Sequence, residues 1–275
     1  MPTRLLAFAG STVAVTSQGS LAQSMVQFLF NHLPADEAGV SHTTFRLVDD
    51  AGAEAVSLHQ DEQLLVDGAS AVAGAERLLG EVCHQLAVQS RGGLLFHAAA
   101  VGKDGWGLML PGQSGVGKST LTVWLVTQGF SYLTDELAFI PTGTTTLQAF
   151  PRPINLKPVA RSVVSQFVDV QAHPQQVWHS RHTTLLLPAA LNSDFTFYQP
   201  PLHHLVFPHY RPGGEFGLQP LTKAQAGLEL MQCLVNARNL PGHGFNEITR
   251  LCGQVTAHRL TYSHFSQLAS WLEEL

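Results

Sequence analysis

Gly112-Gln113-Ser114-Gly115-Val116-Gly117-Lys118-Ser119 decides how this 275-residue chain is read. The stretch fits G-x-x-x-x-G-K-[ST]. Its glycines let the backbone curl so that successive N–H groups point inward at a polyphosphate. Lys118 is placed to reach the β- and γ-phosphates, and the Ser119 hydroxyl to hold Mg²⁺. The helix that follows adds the positive end of its dipole. With Gly near 7% of residues, a chance match is expected in roughly 1% of chains this long, so the stretch is read as a nucleotide-phosphate site.

The flanks agree with the motif. Residues 106–110 (WGLML) are a short apolar run of the kind that forms a buried strand. After the motif, Leu121, Trp124, Leu125 and Gln128 recur at helical spacing. Val123 and Val126 make the other face apolar too, which predicts a helix buried on two sides. Gly129 is a natural C-terminal cap.

Composition bounds the rest. Hydrophobic residues make up 45% of the chain and charged residues 13%, which suits a sizeable core and argues against long disorder. A net charge of −5 lends no support to nucleic-acid binding. No apolar run reaches the length of a membrane span, so neither nucleic acid nor membrane is expected as a partner. Residues 5–15 have the outline of a signal-peptide core, but Gly10, Ser11 and Thr12 interrupt it and only Arg4 precedes it. Cys83, Cys233 and Cys252 lie far apart and outside any C-x-x-C pattern, as buried thiols of a reducing compartment do; a cytoplasmic location is expected. His203-His204 and His179/His182 invite a metal reading, but no H-E-x-x-H or Cys/His zinc spacing accompanies them.

Along the chain, residues 1–90 predict a small α+β domain. Short strands are expected at 5–9 and 12–16. Ser20-x-x-Gln23 is a capping box that opens a helix with Leu21, Met25, Phe28, Leu29 and Leu33 on one face, stopped by Pro34. Strand-like pieces follow at 43–48, 55–58 and 63–66, then a helix over 71–89. Arg91-Gly92-Gly93 is the expected junction to a second domain, 91–275. There, residues 94–101 (LLFHAAAV) read as a buried strand carrying one polar residue, His97. Residues 102–105 make a hairpin turn into the strand before the glycine loop. Strands are expected at 132–136 and 137–140, and an extended segment at the proline-rich 151–158. Further on come a helix near 159–167 and strands at 184–187 and 202–207. Thr222-x-x-Gln225 is a second capping box opening a helix. Another helix is expected at 245–255, then a strand at 258–262 and a last helix after Ser263.

Asp135 and Glu136 follow Ser119 at a predicted strand end. A P-loop enzyme needs a carboxylate there to hold Mg²⁺ or its waters, and sometimes to take the substrate proton. Adjacent side chains on an extended chain point opposite ways, so one of the two is expected to face the phosphates. A lone His on an apolar strand, as His97 is, is more often a satisfied core residue. Topology raises the functional reading. If the hairpin makes its strand antiparallel to the one feeding the loop, the start of that strand lies at the loop's edge, where Asp135 also arrives.

The ordered set of His97-Ala98-Ala99, residues 112–120, Thr134-Asp135-Glu136, Arg152-Pro153-Ile154-Asn155-Leu156-Lys157 and Phe207-Pro208-His209-Tyr210 resembles the HPr kinase/phosphorylase superfamily, and within it the HPr-kinase-related proteins. The resemblance covers residues 90–275 strongly and the N-terminal portion more loosely. It implies an α/β fold: a P-loop kinase core of the HPr kinase type, a mixed sheet flanked by helices, with a small N-terminal α+β domain. It implies Asp135 as the metal and acid–base residue, with His97 positioning it or the substrate. Gly112 to Gly117, with Lys118, Ser119 and Thr120, would hold the phosphates of ATP, and Ser119, Asp135 and Glu136 would hold Mg²⁺. Arg152 and Lys157 look like phosphate-side contacts in the related proteins; a guanidinium and an ammonium on a proline-flanked strand can neutralise a transferring phosphoryl group. The bifunctional enzymes carry Asp-Asp where this chain has Asp135-Glu136, so the reverse activity is not implied.

The expected function is therefore an ATP- and Mg²⁺-dependent kinase acting on a Ser or Thr hydroxyl of a small protein or peptide, such as a precursor peptide. Two other readings stand beside it: a P-loop ATPase switch, and a noncatalytic nucleotide-binding partner protein. Asn155-Leu156-Lys157-Pro158 does not fit the guanine motif N-K-x-D, and L-S-G-G-Q of transport ATPases is absent. A homo-oligomer is left open.

Overall fold

The structure is a computed structural model, and it describes residues 2–33, 39–49, 54–191 and 197–273. Pro34, the expected stop of the first helix, lies outside the described residues. The chain divides into two compact units, one of residues 1–91 and 151–193, the other of residues 92–150 and 194–275.

In the first unit, strands Thr3–Phe8, Ser11–Gln18, Thr44–Val48, Ala55–Gln60 and Gln63–Ser70 form a sheet in chain order. All neighbours are antiparallel except Ser11–Gln18 and Thr44–Val48, which are parallel. A parallel pair needs a crossover, and helix Ser20–Phe30 lies between these two strands in sequence. Its apolar face buries Met25, Phe28, Leu29 and Phe30. The expected Ser20/Gln23 capping box does not form, and no side chain at the N-cap closes the helix. Asp49, 27 residues beyond Ala22, caps it instead: its carboxylate accepts Ala22 N–H at 2.7 Å and Leu21 N–H at 3.4 Å. Gly19 leaves room for that carboxylate, since a Cβ there would lie 2.2 Å from Asp49 Oδ1. Helix Ala71–Gln89 buries Leu78, Leu79, Val82 and Leu86 on its apolar stripe.

A domain boundary near residue 90 leaves 151–193 with the second domain, whereas those residues group with the first unit. They bring a three-stranded antiparallel sheet, Ile154–Leu156, Thr184–Leu186 and Val177–His179. Long-range contacts hold them there. Trp178 stacks on Phe28 with ring centroids 4.3 Å apart, Asn155 Nδ2 donates to Glu76 Oε1 at 2.8 Å, and the His32 ring bonds the Pro151 carbonyl. Such pairings between residues 79 to 150 positions apart leave no periodic trace in sequence.

The second unit is built on a mixed sheet in the order Gln148–Ala149, Leu137–Pro141, Gly93–Lys103, Trp106–Pro111, Leu202–Tyr210, Thr256–Tyr262, Gly217–Pro220, with Ser131–Thr134 also paired to Gly93–Lys103. Strand Gly93–Lys103 is its spine and is buried along almost its whole length. By the period-two alternation of a strand, Leu94, Phe96, Ala98 and Ala100 enter the core formed with Ala226, Leu230, Ile248 and Leu251 of helices Lys223–Cys233 and Phe245–Cys252. Leu95, His97, Ala99 and Val101 take the opposite face, where helix Lys118–Thr127 packs. The Thr222/Gln225 capping box forms in both directions.

Candidate functional site

Strand Trp106–Pro111 runs into the glycine loop, and helix Lys118–Thr127 leaves it. Gly115 (φ 95°) and Gly117 (φ 97°) hold left-handed conformations that residues with a Cβ rarely adopt. Gly112 is required for a different reason: a Cβ there would lie 2.8 Å from Val116 Cγ2. Lys118 is 6% exposed. Its ammonium donates to the carbonyls of Gly112 at 2.7 Å and Gln113 at 3.0 Å, which draws the side chain back over the loop.

The acids reach this loop through the spine strand. Gly93–Lys103 is antiparallel to Trp106–Pro111, with Ala98 opposite Pro111. On its other edge the spine pairs antiparallel with Leu137–Pro141 through residues 93–97 and with Ser131–Thr134 through residues 100–102. Ser131–Thr134 therefore runs in the same sense as the strand feeding the loop. Its end, the start of the spine and the glycine loop all lie at one edge of the sheet. Asp135 and Glu136 form a bend between the two outer strands, held to the spine by Ala98 N–H donating to the Glu136 carbonyl at 3.1 Å.

Thr134 shapes that bend. It is wholly buried; its hydroxyl donates to the Phe150 carbonyl at 2.9 Å and accepts from the N–H groups of Glu136 and Leu137 at 3.3 Å each. The two acids then part company. Asp135 is 2% exposed and turns toward the glycine loop: Ser119 Oγ donates to its Oδ2 at 3.4 Å, and the Tyr132 hydroxyl to its Oδ1 at 3.4 Å. Glu136 is about one-third exposed, and its Oε1 lies 3.4 Å from Nε2 of His97, which is about one-quarter exposed. The sequence places His97 beside Asp135; the carboxylate found against its Nε2 is that of Glu136.

Mg²⁺ takes hydroxyl, carboxylate, phosphate and water oxygens at about 2.0–2.1 Å, so two neighbouring ligand oxygens sit about 3 Å apart. Ser119 Oγ and Asp135 Oδ2, at 3.4 Å, suit such a pair in both chemistry and spacing. No cluster of three or more His, Cys, Asp or Glu that could hold a metal by itself occurs among the described residues. Arg152 and Lys157 belong to the first unit; Arg152 is buried, and Lys157 is exposed at the N-cap of helix Pro158–Val164. No helix among the described residues is long and apolar enough to cross a membrane.

Four further residues stand at this edge: the matched motifs contain Thr134 and Tyr210 without giving them a role, and Tyr132 and Tyr262 belong to no motif. Tyr132 and Thr134 lie next to Asp135 in sequence, but only the bend reveals what they hold. Tyr210 and Tyr262 end the strands Leu202–Tyr210 and Thr256–Tyr262, which run parallel to each other; the first is also parallel to the loop-feeding strand. Both tyrosines thus arrive at the glycine loop, on the flank opposite the acids.

No protein-family model matches the chain, and no curated protein matches it. Among solved structures, the chain is similar to the Hpr(Ser) kinase/phosphatase from Coxiella burnetii, at 10% identity and a TM-score of 0.28, over 66% of this chain and 86% of that one. A superposition this loose carries no argument about activity. The functional reading rests on the residues themselves.

Proposed function

We propose that the unit of residues 92–150 and 194–275 is a P-loop phosphotransferase, moving the γ-phosphoryl group of ATP to a Ser or Thr hydroxyl of a protein or peptide. One observation carries this reading: the two acids at the loop's edge are separated by environment. Asp135 is buried against Ser119, and Glu136 is about one-third exposed beside His97. A nucleotide-binding module needs the first acid and has no use for the second.

The residues divide the work as follows. The backbone N–H groups of residues 113–119 and the Lys118 ammonium bind and orient the β- and γ-phosphates and offset their charge. Ser119 and Asp135 would hold Mg²⁺, which would supply Lewis-acid stabilisation of the phosphate oxygens. Glu136 is accessible to an incoming hydroxyl and accepts its proton as the acceptor oxygen bonds to the γ-phosphorus and the bond to the β-phosphate oxygen breaks. His97 orients the Glu136 carboxylate and, as it does so, can share the proton. Tyr132 fixes the second oxygen of Asp135.

The test is incubation of the full chain with Mg²⁺ and γ-labelled ATP against a library of Ser- and Thr-containing peptides, with Lys118→Ala as control. Label on a peptide hydroxyl, lost in the variant, is the expected result. Hydrolysis without transfer would point to an ATPase, and binding without turnover to a noncatalytic nucleotide sensor.

A further inference from the structure

Two tyrosines stand where a polyphosphate would leave the glycine loop. Gly117 has no Cβ; one built there would lie 3.1 Å from the Tyr262 hydroxyl and 3.4 Å from Tyr210 Cβ. Tyr262 is 1% exposed. The phenol O–H is a donor, and it stands beside the loop's last glycine. Burial, and secondarily Tyr210, pushes its pKa well up, which keeps the proton on the oxygen.

Tyr210 is 48% exposed. Its ring meets that of Tyr262 edge-on, with centroids 5.7 Å apart. Tyr262 packs in turn on Phe265 at 5.7 Å, and Phe265 stacks on Trp124 of the helix that follows the loop, at 5.3 Å. This aromatic row ties the platform to the phosphate-binding helix and leaves the Tyr210 ring open to solvent.

Direction follows from charge. On the P-loop reading Ser119 and Asp135 would hold Mg²⁺, and with it the terminal phosphates, on the spine-strand side of the loop. The opposite end of the ligand must then emerge on the other side, beside strands Leu202–Tyr210 and Thr256–Tyr262. Resting on the P-loop reading above, we infer that the Tyr210–Tyr262 pair is the nucleoside wall of the site: Tyr210 stacks on the base, and the Tyr262 hydroxyl donates to a phosphate oxygen. The ligand class is a nucleoside triphosphate, distinguished from bare polyphosphate by its base. Stacking of this kind tolerates any base.

Calorimetric titration of the full chain with Mg-ATP and with Mg-tripolyphosphate separates this inference from the reading beneath it. Tyr210→Ala is expected to weaken Mg-ATP binding about tenfold to hundredfold and to leave tripolyphosphate affinity unchanged, while Tyr210→Phe keeps both. Tyr262→Phe, which keeps the ring, is expected to weaken both ligands by a similar factor of about ten. Tyr210→Ala that weakens both ligands equally, or neither, overturns the base platform. Tyr262→Phe without effect on either overturns the phosphate contact. A wild-type chain that binds neither ligand overturns the P-loop reading itself and this inference with it. Binding of both, lost in Lys118→Ala, upholds that reading whatever the tyrosine variants do.

Discussion

Replacing Thr134 by Val swaps a hydroxyl for a methyl of nearly the same volume, so its effect reports on hydrogen bonds alone. Thr134 is wholly buried, and its oxygen serves three backbone groups: the Phe150 carbonyl at 2.9 Å and the N–H groups of Glu136 and Leu137 at 3.3 Å. A buried group left without its partner costs about 1–3 kcal/mol. The carbonyl bond is short and counts in full; the two longer bonds count for less, which makes the expected loss about 2–4 kcal/mol. For a unit of this size that is a fall in Tm of roughly 5–15 °C. Thr134→Ser keeps the hydroxyl and gives up one buried methyl, about 1 kcal/mol. The bend also aims Asp135 and Glu136, so Thr134→Val should lower Mg²⁺-dependent ATP affinity, and Thr134→Ser should preserve it. Thermal unfolding followed by differential scanning fluorimetry, with and without Mg-ATP, measures both quantities. A Val variant as stable as the Ser variant, or one with unaltered ATP stabilisation, would refute the claim that this hydroxyl sets the geometry of the acids.

Three more expectations can be checked with single variants. Glu136→Gln should slow transfer to a hydroxyl acceptor by about a hundredfold or more and leave Mg-ATP affinity near wild type, whereas Asp135→Asn should lose Mg²⁺-dependent affinity; the reverse pattern in titration and transfer assays exchanges their roles. Asp49→Ala should cost about 1–2 kcal/mol in urea unfolding because it uncaps helix Ser20–Phe30, while Ser20→Ala costs a few tenths; equal costs would restore the local capping box. Burial lowers the pKa of His32 and of His204 below the usual 6.5, with His203 and His258 adding to the effect on His204. The fold favours both rings neutral, so their contribution is complete above about pH 6.5 and is lost as pH falls through the unfolded value toward the lower folded ones. Tm should drop on acidification from about pH 7 to 5, with a smaller slope in His32→Gln, and a flat profile contradicts this.

The sequence by itself determined what is local. Residues 112–119 need left-handed glycines, a lysine and a hydroxyl within eight positions, and the strand and helix on either side announce themselves by apolar runs and helical spacing. Asp135 and Glu136 could be singled out as acids at the end of an apolar strand and His97 as the one polar residue within another, and the hairpin at 102–105 dictates that the His97 strand turns back on the loop-feeding strand. The Thr222/Gln225 box is likewise contained in four residues and forms as written. Tertiary structure decided whatever depends on residues far apart. Asp49 displaces Ser20 as the cap of the first helix because a carboxylate delivered by a distant strand end reaches two N–H groups at once. Residues 151–193 join the first unit because Trp178, Asn155 and Pro151 meet Phe28, Glu76 and His32. His97 faces Glu136 because Thr134 bends the chain at the acids, a turn that an extended reading of 132–136 does not contain. Tyr210 and Tyr262 reach Gly117 because two parallel strands end beside the loop. Parallel pairing joins segments that share no turn, so Phe207-Pro208-His209-Tyr210 could be matched as a motif without its position beside Gly117 being legible, and Tyr262 belonged to no motif.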